Sequence, residues 1–199
     1  MQLPRKSQKM ASPGPSVKLN LIVAVCEGGG IGAGGSLPWR LKTELRYFAR
    51  MTKTTVDKEK RNAVLMGRKT WESIPDKFRP LRDRVNIVLT RSSDKVAGDE
   101  VIVCPSFEAA VDKIDTDLGG LVETCWVIGG SSVYREGINN DRVSRVYRTE
   151  VMERFDCDTF MEELGEEWEE VEDDTVPQGV QEEEGVKFRY RVFQRKGEK

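Results

Sequence analysis

One carboxylate interrupts the apolar face of a predicted helix. Residues 40–51 follow a helical period, and their apolar positions are Leu41, Leu45, Phe48 and Met51. Glu44 falls within this apolar arc. A carboxylate among apolar side chains is costly unless a partner satisfies it, and burial raises its pKa. Glu44 is therefore either half of a structural ion pair or a group that binds a ligand or handles a proton.

The chain contains no histidine. Its absence excludes Ser-His-Asp hydrolysis and most zinc enzymes, so acid–base chemistry falls to a carboxylate, lysine, tyrosine, cysteine or water. The four cysteines, at positions 26, 104, 125 and 157, are too widely spaced for a metal knuckle. We expect reduced, partly buried thiols, a cytoplasmic location and no metal site.

A glycine-rich segment, residues 28–35, follows a predicted strand. Residues 30–35 formally match the G-x-G-x-x-G dinucleotide pattern, but that pattern requires a helix to begin at its last glycine. Pro38 instead requires an extended residue before it. We predict a loop that covers a site, and a plain surface loop is the alternative.

Three turns that follow strands have the composition of phosphate sites: residues 66–70, 90–92 and 128–132. Free N–H groups at a helix N-terminus attract phosphate, and Arg68, Lys69 and Thr70 would add charge and a hydroxyl. Open α/β sheets bind nucleotides at the carboxyl ends of their strands. Ordinary helix capping is the alternative for each turn taken singly.

Apolar strands alternate with helical patterns along the chain, which predicts an α/β fold. We expect a single domain with a central, mostly parallel mixed sheet of about eight strands flanked by helices, closed by an antiparallel C-terminal strand. The predicted strands are residues 19–25, 63–66, 85–89, 101–104, 126–128, 145–151 and 187–193; the predicted helices are residues 40–51, 69–74, one beginning at 105–106, and 132–136.

The domain is placed at residues 17–196. Residues 1–16, which lack the apolar stretch of a secretory signal, are expected to form a disordered extension. No run of residues is long and apolar enough for a membrane span. Basic residues are concentrated in the first hundred positions but are scattered, which disfavours nucleic-acid binding. The acidic stretch between residues 154 and 187 is interpreted as a solvated face.

The segments resemble the dihydrofolate reductase family in its eukaryotic, stand-alone form. The resemblance runs from about Val17 to Arg195, and its most specific parts are Leu-Pro-Trp, Gly-Arg-Lys-Thr-Trp and Gly-Gly-Ser-Ser-Val-Tyr. In order, the matching segments are residues 21–25, 30–32, 37–39, 66–71, 73–75, 79–81, 126–134 and 155–160.

The resemblance implies reduction of 7,8-dihydrofolate to 5,6,7,8-tetrahydrofolate by NADPH, with hydride transfer to C6 and protonation at N5, feeding one-carbon metabolism and thymidylate and purine synthesis. It implies binding of dihydrofolate and of antifolates such as methotrexate. A monomer is our default expectation for the oligomeric state, which the sequence leaves open. Glu44 matches the residue that binds the pterin, Thr149 the residue that supports it, and Trp39 the indole that holds a water. Leu37 completes the implied catalytic set.

The implied substrate contacts are Ile22, Val23, Glu44, Leu45, Phe48, Ile74, Leu81, Arg84, Ile128 and Thr149, with Arg84 gripping the α-carboxylate of the glutamate tail. The implied cofactor contacts are Ala24, Ile31, Gly32, Gly35, Ser36, Leu37, Gly67, Arg68, Lys69, Thr70, Thr90, Arg91, Ser92, Gly129, Gly130, Ser131, Ser132, Val133, Tyr134 and Glu136. Arg68 and Arg91 would select NADPH over NADH, and the bond between Gly129 and Gly130 is expected to be cis.

The sequence also departs from the family pattern. Pro105 replaces a basic residue near the 2′-phosphate, and Phe78 replaces an asparagine near the glutamate tail. The alternatives are a fold relative such as the reductase of riboflavin synthesis, a folate- or nucleotide-binding protein without turnover, and a nucleic-acid binder. Glu44 on an apolar helix and the Leu-Pro-Trp segment favour the reductase of dihydrofolate.

Overall fold

Eleven strands form one large mixed sheet and one small ribbon in this computed structural model, which describes residues 16–92, 96, 98 and 100–197. The strands are β1 (Lys18–Cys26), β2 (Gly30–Gly32), β3 (Arg61–Gly67), β4 (Arg84–Leu89), β5 (Val101–Cys104), β6 (Val122–Gly129), β7 (Val143–Val151), β8 (Thr159–Phe160), β9 (Trp168–Val171), β10 (Val180–Glu183) and β11 (Val186–Arg195). The helices are α1 (Lys42–Lys53), α2 (Arg68–Ser73), α3 (Phe107–Asp117) and α4 (Ser131–Ile138), and a 3-10 turn spans Asp76–Phe78.

The large sheet has the order β10-β11-β7-β1-β6-β3-β4-β5, and β9 also pairs with β11. Strands β7, β1, β6, β3, β4 and β5 are parallel, whereas β11 runs antiparallel to β7, β9 and β10. The predicted fold class and antiparallel C-terminal strand are confirmed. Every predicted strand and helix is present, with α1 shifted two residues toward the C-terminus. The short strands β2, β8, β9 and β10 were not predicted.

Helices cover both faces of the sheet, and each face has its own apolar core. Helices α3 and α4 pack on one face, where Phe107 and Ile138 are buried, and α1 and α2 pack on the other, where Met51 and Trp71 are buried. Because side chains alternate along a strand, β1 contributes to both cores. Leu19, Leu21, Val23 and Val25 lie on the α3–α4 face, while Ile22 and Cys26 lie on the α1–α2 face.

None of the helices within the described ranges is long and apolar enough to cross a membrane. Of the predicted disordered extension, residues 1–16, all but Ser16 lie outside the described residues.

The amino terminus of α1 is capped from a distant strand. Leu41 precedes the helix and supplies no side-chain cap, so the first helical N–H groups need another acceptor. Both carboxylate oxygens of Glu183, at the end of β10, serve this purpose: they accept hydrogen bonds from the backbone N–H groups of Lys42 at 2.9 Å and Thr43 at 2.7 Å. These bonds lower the pKa of Glu183. The β10–β11 hairpin therefore fixes the helix that carries Glu44.

Replacing Glu183 by alanine is expected to lower the thermal midpoint of unfolding, because two helix donors lose their acceptor. Since the pKa of Glu183 is lowered by folding, its contribution is present above the ordinary carboxyl pKa and is lost as pH falls. Thermal unfolding of wild type and Glu183→Ala at pH 7 and pH 3 tests this, with the exposed neighbour Glu182→Ala as control. Equal midpoints at pH 7 would contradict the assignment.

Candidate functional site

Glu44 is buried without a cation. Its side chain lies in the first turn of α1 and the residue is only 5% exposed. The hydroxyl of Thr149 donates a hydrogen bond of 3.3 Å to Oε1 of Glu44, and no lysine or arginine of the described residues forms an ion pair with it. Burial raises the pKa of Glu44 from its ordinary 4.5 to about 7, and the Thr149 bond opposes this rise. The structural ion pair left open by the sequence is thus not found.

Helix α1 turns a different stripe inward from the one predicted. Glu44, Tyr47 and Met51 are its buried positions, at the i, i+3, i+7 spacing of one helix face, together with Thr52. Leu45 was predicted within the apolar arc, but it is 52% exposed, which corrects that prediction. Phe48 is partly buried against the α1–α2 core. The apolar arc was therefore centred too far toward Leu45.

Thr149 is fixed at the middle of the sheet. It is fully buried on β7, paired with Ala24 of β1 on one side and with Tyr190 of β11 on the other. Ile22 and Ile128 lie in the same core as α1, and Ile74 and Leu81 pack against that core. These four predicted substrate contacts therefore lie on the α1–α2 face of the sheet. The prediction for Val23 needs a correction. Strand alternation places the Val23 side chain in the opposite core, away from Ile22.

Polar side chains near Glu44 are also withdrawn from solvent. The rings of Tyr47 and Tyr190 lie with centroids 4.0 Å apart, and the hydroxyls of both are buried without a partner among the described residues. Burial, with the nearby Glu44 charge as the next cause, raises the pKa of Tyr190 to about 12. Trp39 is 5% exposed, and its buried indole N–H likewise has no acceptor within the described part of the chain. A bound acceptor would satisfy this donor.

Arg84 is anchored to the opposite end of α1 from Glu44. Its Nη1 donates to the Thr52 hydroxyl at 2.8 Å and its Nε donates to the Arg82 carbonyl at 3.0 Å. The Thr52 hydroxyl in turn donates to the Phe48 carbonyl at 2.8 Å. Arg84 is 9% exposed, and desolvation lowers its pKa. The guanidinium is thereby held rigidly with donors to spare for an anion.

A glycine crevice lies where β3 and β6 end. Met66 pairs with Gly129, so the turns that begin α2 and α4 are neighbours, and the Gly129–Gly130 bond is cis as expected. A Cβ on Gly130 would lie 3.2 Å from Oγ1 of Thr70, and one on Gly67 would lie 3.2 Å from Cγ2 of Val133. Glycine therefore lets the two turns approach each other.

The first turn of α4 has the properties of an anion site. Gly130 provides no side-chain cap, so the N–H groups of Ser131 and Ser132 are left for another acceptor. Tyr134 is buried, and its hydroxyl donates to the Ile22 carbonyl at 3.0 Å, which ties α4 to β1. Glu136 is exposed on the same helix.

Two further groups of predicted cofactor contacts flank this crevice. Thr90 and Ser92 form a tight turn after β4, in which the Ser92 N–H donates to the Thr90 hydroxyl at 3.1 Å, and Arg91 is exposed. Arg68 forms a salt bridge of 2.5 Å with Glu72, whereas Lys69 is exposed.

The predicted loop over residues 28–35 includes a strand. β2 pairs with β8, and an isolated bridge joins Ala33 to Ser36, so Ile31 and Gly32 belong to a ribbon, while Gly35, Ser36 and Leu37 are exposed. No helix begins at Gly35, as Pro38 led us to expect. The ribbon was missed because two- and three-residue strands carry no recognisable alternation.

Several residues that shape the site were not identified from the sequence. Thr52 and Glu183 act through non-local bonds that no spacing reveals. Asn86 did carry a recognisable signal, since a polar amide within the apolar run of β4 needs partners. Its Oδ1 accepts from the Leu81 N–H and its Nδ2 donates to the Leu81 and Arg84 carbonyls, at 2.9 to 3.0 Å.

Comparisons with known proteins agree on one family. The dihydrofolate reductase family model matches residues 18–195. The chain is 47% identical to the dihydrofolate reductase of Aedes albopictus over 181 residues, 89% of this chain and 97% of the relative. It is also 47% identical to that of Drosophila melanogaster, covering 90% and 98%. The solved structure of Schistosoma mansoni dihydrofolate reductase superimposes with a TM-score of 0.79 at 35% identity, covering 89% and 98%.

Glu44→Gln is expected to stabilise the ligand-free protein at alkaline pH. Because folding raises the pKa of Glu44 from 4.5 to about 7, its stabilising effect is full below 4.5 and is lost as pH rises through 7. The neutral amide avoids this loss, so the free energy of unfolding at pH 8 should rise by up to about 3 kcal/mol. Urea unfolding at pH 8 and pH 4.5 measures it, with the exposed Glu108→Gln as control. A gain that is equal at both pH values would contradict a buried, titrating Glu44.

Proposed function

Since the chain belongs to the dihydrofolate reductase family, a family of oxidoreductases, we propose that it reduces 7,8-dihydrofolate to 5,6,7,8-tetrahydrofolate with NADPH. The observation that carries this proposal is Glu44, a buried carboxylate whose one hydrogen-bonding side chain among the described residues is Thr149. A flat heterocycle with two adjacent N–H donors complements such a carboxylate in two parallel hydrogen bonds. The 2-amino group and ring N3 of the pterin have this pattern.

The α1–α2 face supplies the walls of the substrate site. The pterin lies among Ile22, Phe48 and Ile128, and the benzoyl group lies toward Ile74 and Leu81. Arg84 binds the α-carboxylate of the glutamate tail, since its remaining guanidinium donors match a carboxylate. Leu45 contacts the substrate from the rim of the site, where its side chain is exposed. Val23 contributes only its backbone.

The glycine crevice is the site proposed for NADPH. The uncapped N-terminus of α4, the close approach of Gly130 to Thr70, and the basic Arg68, Lys69 and Arg91 suit a phosphate-bearing cofactor. The remaining contacts assigned to NADPH come from the ribbon and the turns around this crevice: Ala24, Ile31, Gly32, Gly35, Ser36, Leu37, Gly67, Thr90, Ser92, Gly129, Ser131, Ser132, Val133, Tyr134 and Glu136.

When bound, the nicotinamide supplies the hydride that C6 of dihydrofolate receives. Glu44, kept in place by Thr149, orients the pterin and favours the protonated ring system by its negative charge. The Trp39 N–H holds a water near the pterin, through which a proton reaches N5. The surrounding apolar side chains exclude bulk water, which strengthens the Glu44 contacts. No histidine is needed for these steps.

We also propose the functional domain at residues 17–196, with residues 1–16 as an extension, and a monomer in the cytoplasm. The four cysteines carry no disulfide, which suits a reducing compartment.

The activity is tested by following NADPH absorbance after adding dihydrofolate. We expect NADPH consumption that methotrexate abolishes. Glu44→Gln should lower kcat/KM by about 10²- to 10⁴-fold near neutral pH, because the pterin loses its charged partner. Glu108→Gln should leave the rate unchanged. If Glu44→Gln retained a near-normal rate, the assignment would be wrong, and binding of both ligands without NADPH consumption would indicate a binding protein instead.

The proposed role of Arg84 is tested by Arg84→Leu. Losing the buried guanidinium should weaken dihydrofolate binding by about 2–5 kcal/mol, because the tail carboxylate then lacks its partner. NADPH affinity should stay constant, since Arg84 lies with α1 and not at the glycine crevice. Arg82→Leu, an exposed neighbour, is the matched control. An unchanged dihydrofolate KM in Arg84→Leu would contradict the role.

A further inference from the structure

Two thiols meet beneath the glycine-rich ribbon. Cys26 is the last residue of β1, and Cys157 precedes β8 by two positions. Their Sγ atoms are 3.7 Å apart although 131 positions separate the residues along the chain. Cys104 and Cys125 are instead buried in the opposite core, on the α3–α4 face. All four thiols are free, so the Cys26–Cys157 contact is a reduced dithiol.

The dithiol lies directly against the ribbon. A Cβ on Gly30 would fall 2.4 Å from the sulfur of Cys157 and 2.9 Å from that of Cys26. Gly30 begins β2, which pairs with β8. The pairing is reinforced by bonds from the Met161 N–H to the Gly29 carbonyl at 2.9 Å and from the Asp158 N–H to the Gly32 carbonyl at 3.1 Å. A change in the distance between the two sulfurs would therefore displace Gly30 and the ribbon that it begins.

The two thiols are held by unlike parts of the fold. Cys26 is the last residue of the central strand β1 and is paired there with Val151 of β7. Cys157 belongs to the segment that carries β8, whose Asp158 carboxylate accepts a hydrogen bond of 2.7 Å from the Gly34 N–H. A bond between the sulfurs would thus join the rigid sheet to the segment that supports residues 28–36.

We propose that Cys26 and Cys157 are a reversible modification site that low-molecular-weight disulfides, such as glutathione disulfide, convert to an intramolecular disulfide. This bond reshapes the ribbon and weakens NADPH binding. The second statement rests on the proposed function, because it uses the NADPH contacts assigned to Ile31, Gly32 and Gly35 to Leu37. The first does not depend on any activity.

The chemistry is thiol–disulfide exchange. The thiolate of Cys157, the more exposed partner, attacks one sulfur of glutathione disulfide and forms a mixed disulfide, and the first glutathione leaves as a thiol. The thiolate of Cys26 then attacks Sγ of Cys157, and the second glutathione leaves. Two electrons pass from the cysteine pair to glutathione disulfide, and the two thiol protons end on the two glutathione molecules. A thiol reductant reverses both steps.

Geometry explains why the reaction affects the ribbon. A disulfide requires the sulfurs to close from 3.7 Å to about 2.05 Å, and Gly30 is packed against both. Burial and the Cys26 contact raise the pKa of the Cys157 thiol, so the exchange should accelerate as pH rises. Cys26 also lines a cavity of about 240 Å³ between the ends of β1 and β7.

The covalent step is tested on the full chain in glutathione buffers from fully reduced to fully oxidised. After acid quenching, alkylation and digestion, mass spectrometry should find one cross-linked peptide pair joining Cys26 to Cys157, which dithiothreitol removes. Cys26→Ser and Cys157→Ser should abolish the cross-link, and Cys125→Ser should retain it. Absence of the cross-link in the fully oxidised wild type, or mixed glutathione adducts alone, would overturn the proposal.

The effect on the ribbon is tested by NADPH fluorescence titration of oxidised and reduced wild type. Oxidation should raise the Kd for NADPH at least threefold, and dithiothreitol should restore it. Glutathione disulfide should leave the Kd of Cys157→Ser unchanged. A cross-linked protein with an unaltered Kd would overturn the coupling to the ribbon. If reduced wild type failed to bind NADPH, the proposed function would fall, while the peptide analysis would still decide the disulfide.

Discussion

The constraint on which the rest of the structure depends is a buried carboxylate that pairs with no cation of the described residues. Glu44 receives one hydroxyl bond, from Thr149, and the favourable field of a helix N-terminus, since it lies in the first turn of α1. Neither compensates fully, as its pKa of about 7 indicates. The surrounding structure must therefore hold Glu44 in an environment that disfavours its charge. The Glu183 cap on α1 and the doubly paired strand of Thr149 do so.

The local sequence pattern was sufficient to predict the strands and helices that bury apolar side chains. The long central strands read as continuous β-branched runs, and the helices between them as 3.6-residue periods. The acidic C-terminal stretch is largely exposed, as expected of a solvated face, but the strands within it were not predicted because they are ordered by distant partners. In β9, Glu170 pairs with Arg191 of β11, and Asp173 accepts bonds from Arg145 and the Tyr147 hydroxyl. Such pairings leave no periodic trace in the sequence.

The sequence was better at singling out an unusual residue of the candidate site than at predicting which way the neighbouring side chains point. Glu44 stood out because a charge in an apolar stripe is anomalous wherever the stripe points. The burial of Leu45 and the direction of Val23 depended instead on how a helix is rotated against the sheet and on which face of β1 meets α1. Those are properties of packing between elements, and a single sequence does not contain them. Thr52 illustrates the same limit, since its importance lies in the Arg84 that reaches it.

Because Arg84 is hydrogen-bonded to Thr52, helix α1 fixes the distance between Glu44 and Arg84. Glu44 and Thr52 are eight residues apart on α1, a separation of about 12 Å along the axis of an α-helix. Under the proposed function, one end of the helix would hold the heterocycle of the substrate and the other end its carboxylate. Because a helix stretches very little, such a site would select for the distance between the two groups of a ligand as well as for their chemistry. Molecules that carry both groups on a shorter or longer spacer would satisfy one end at a time.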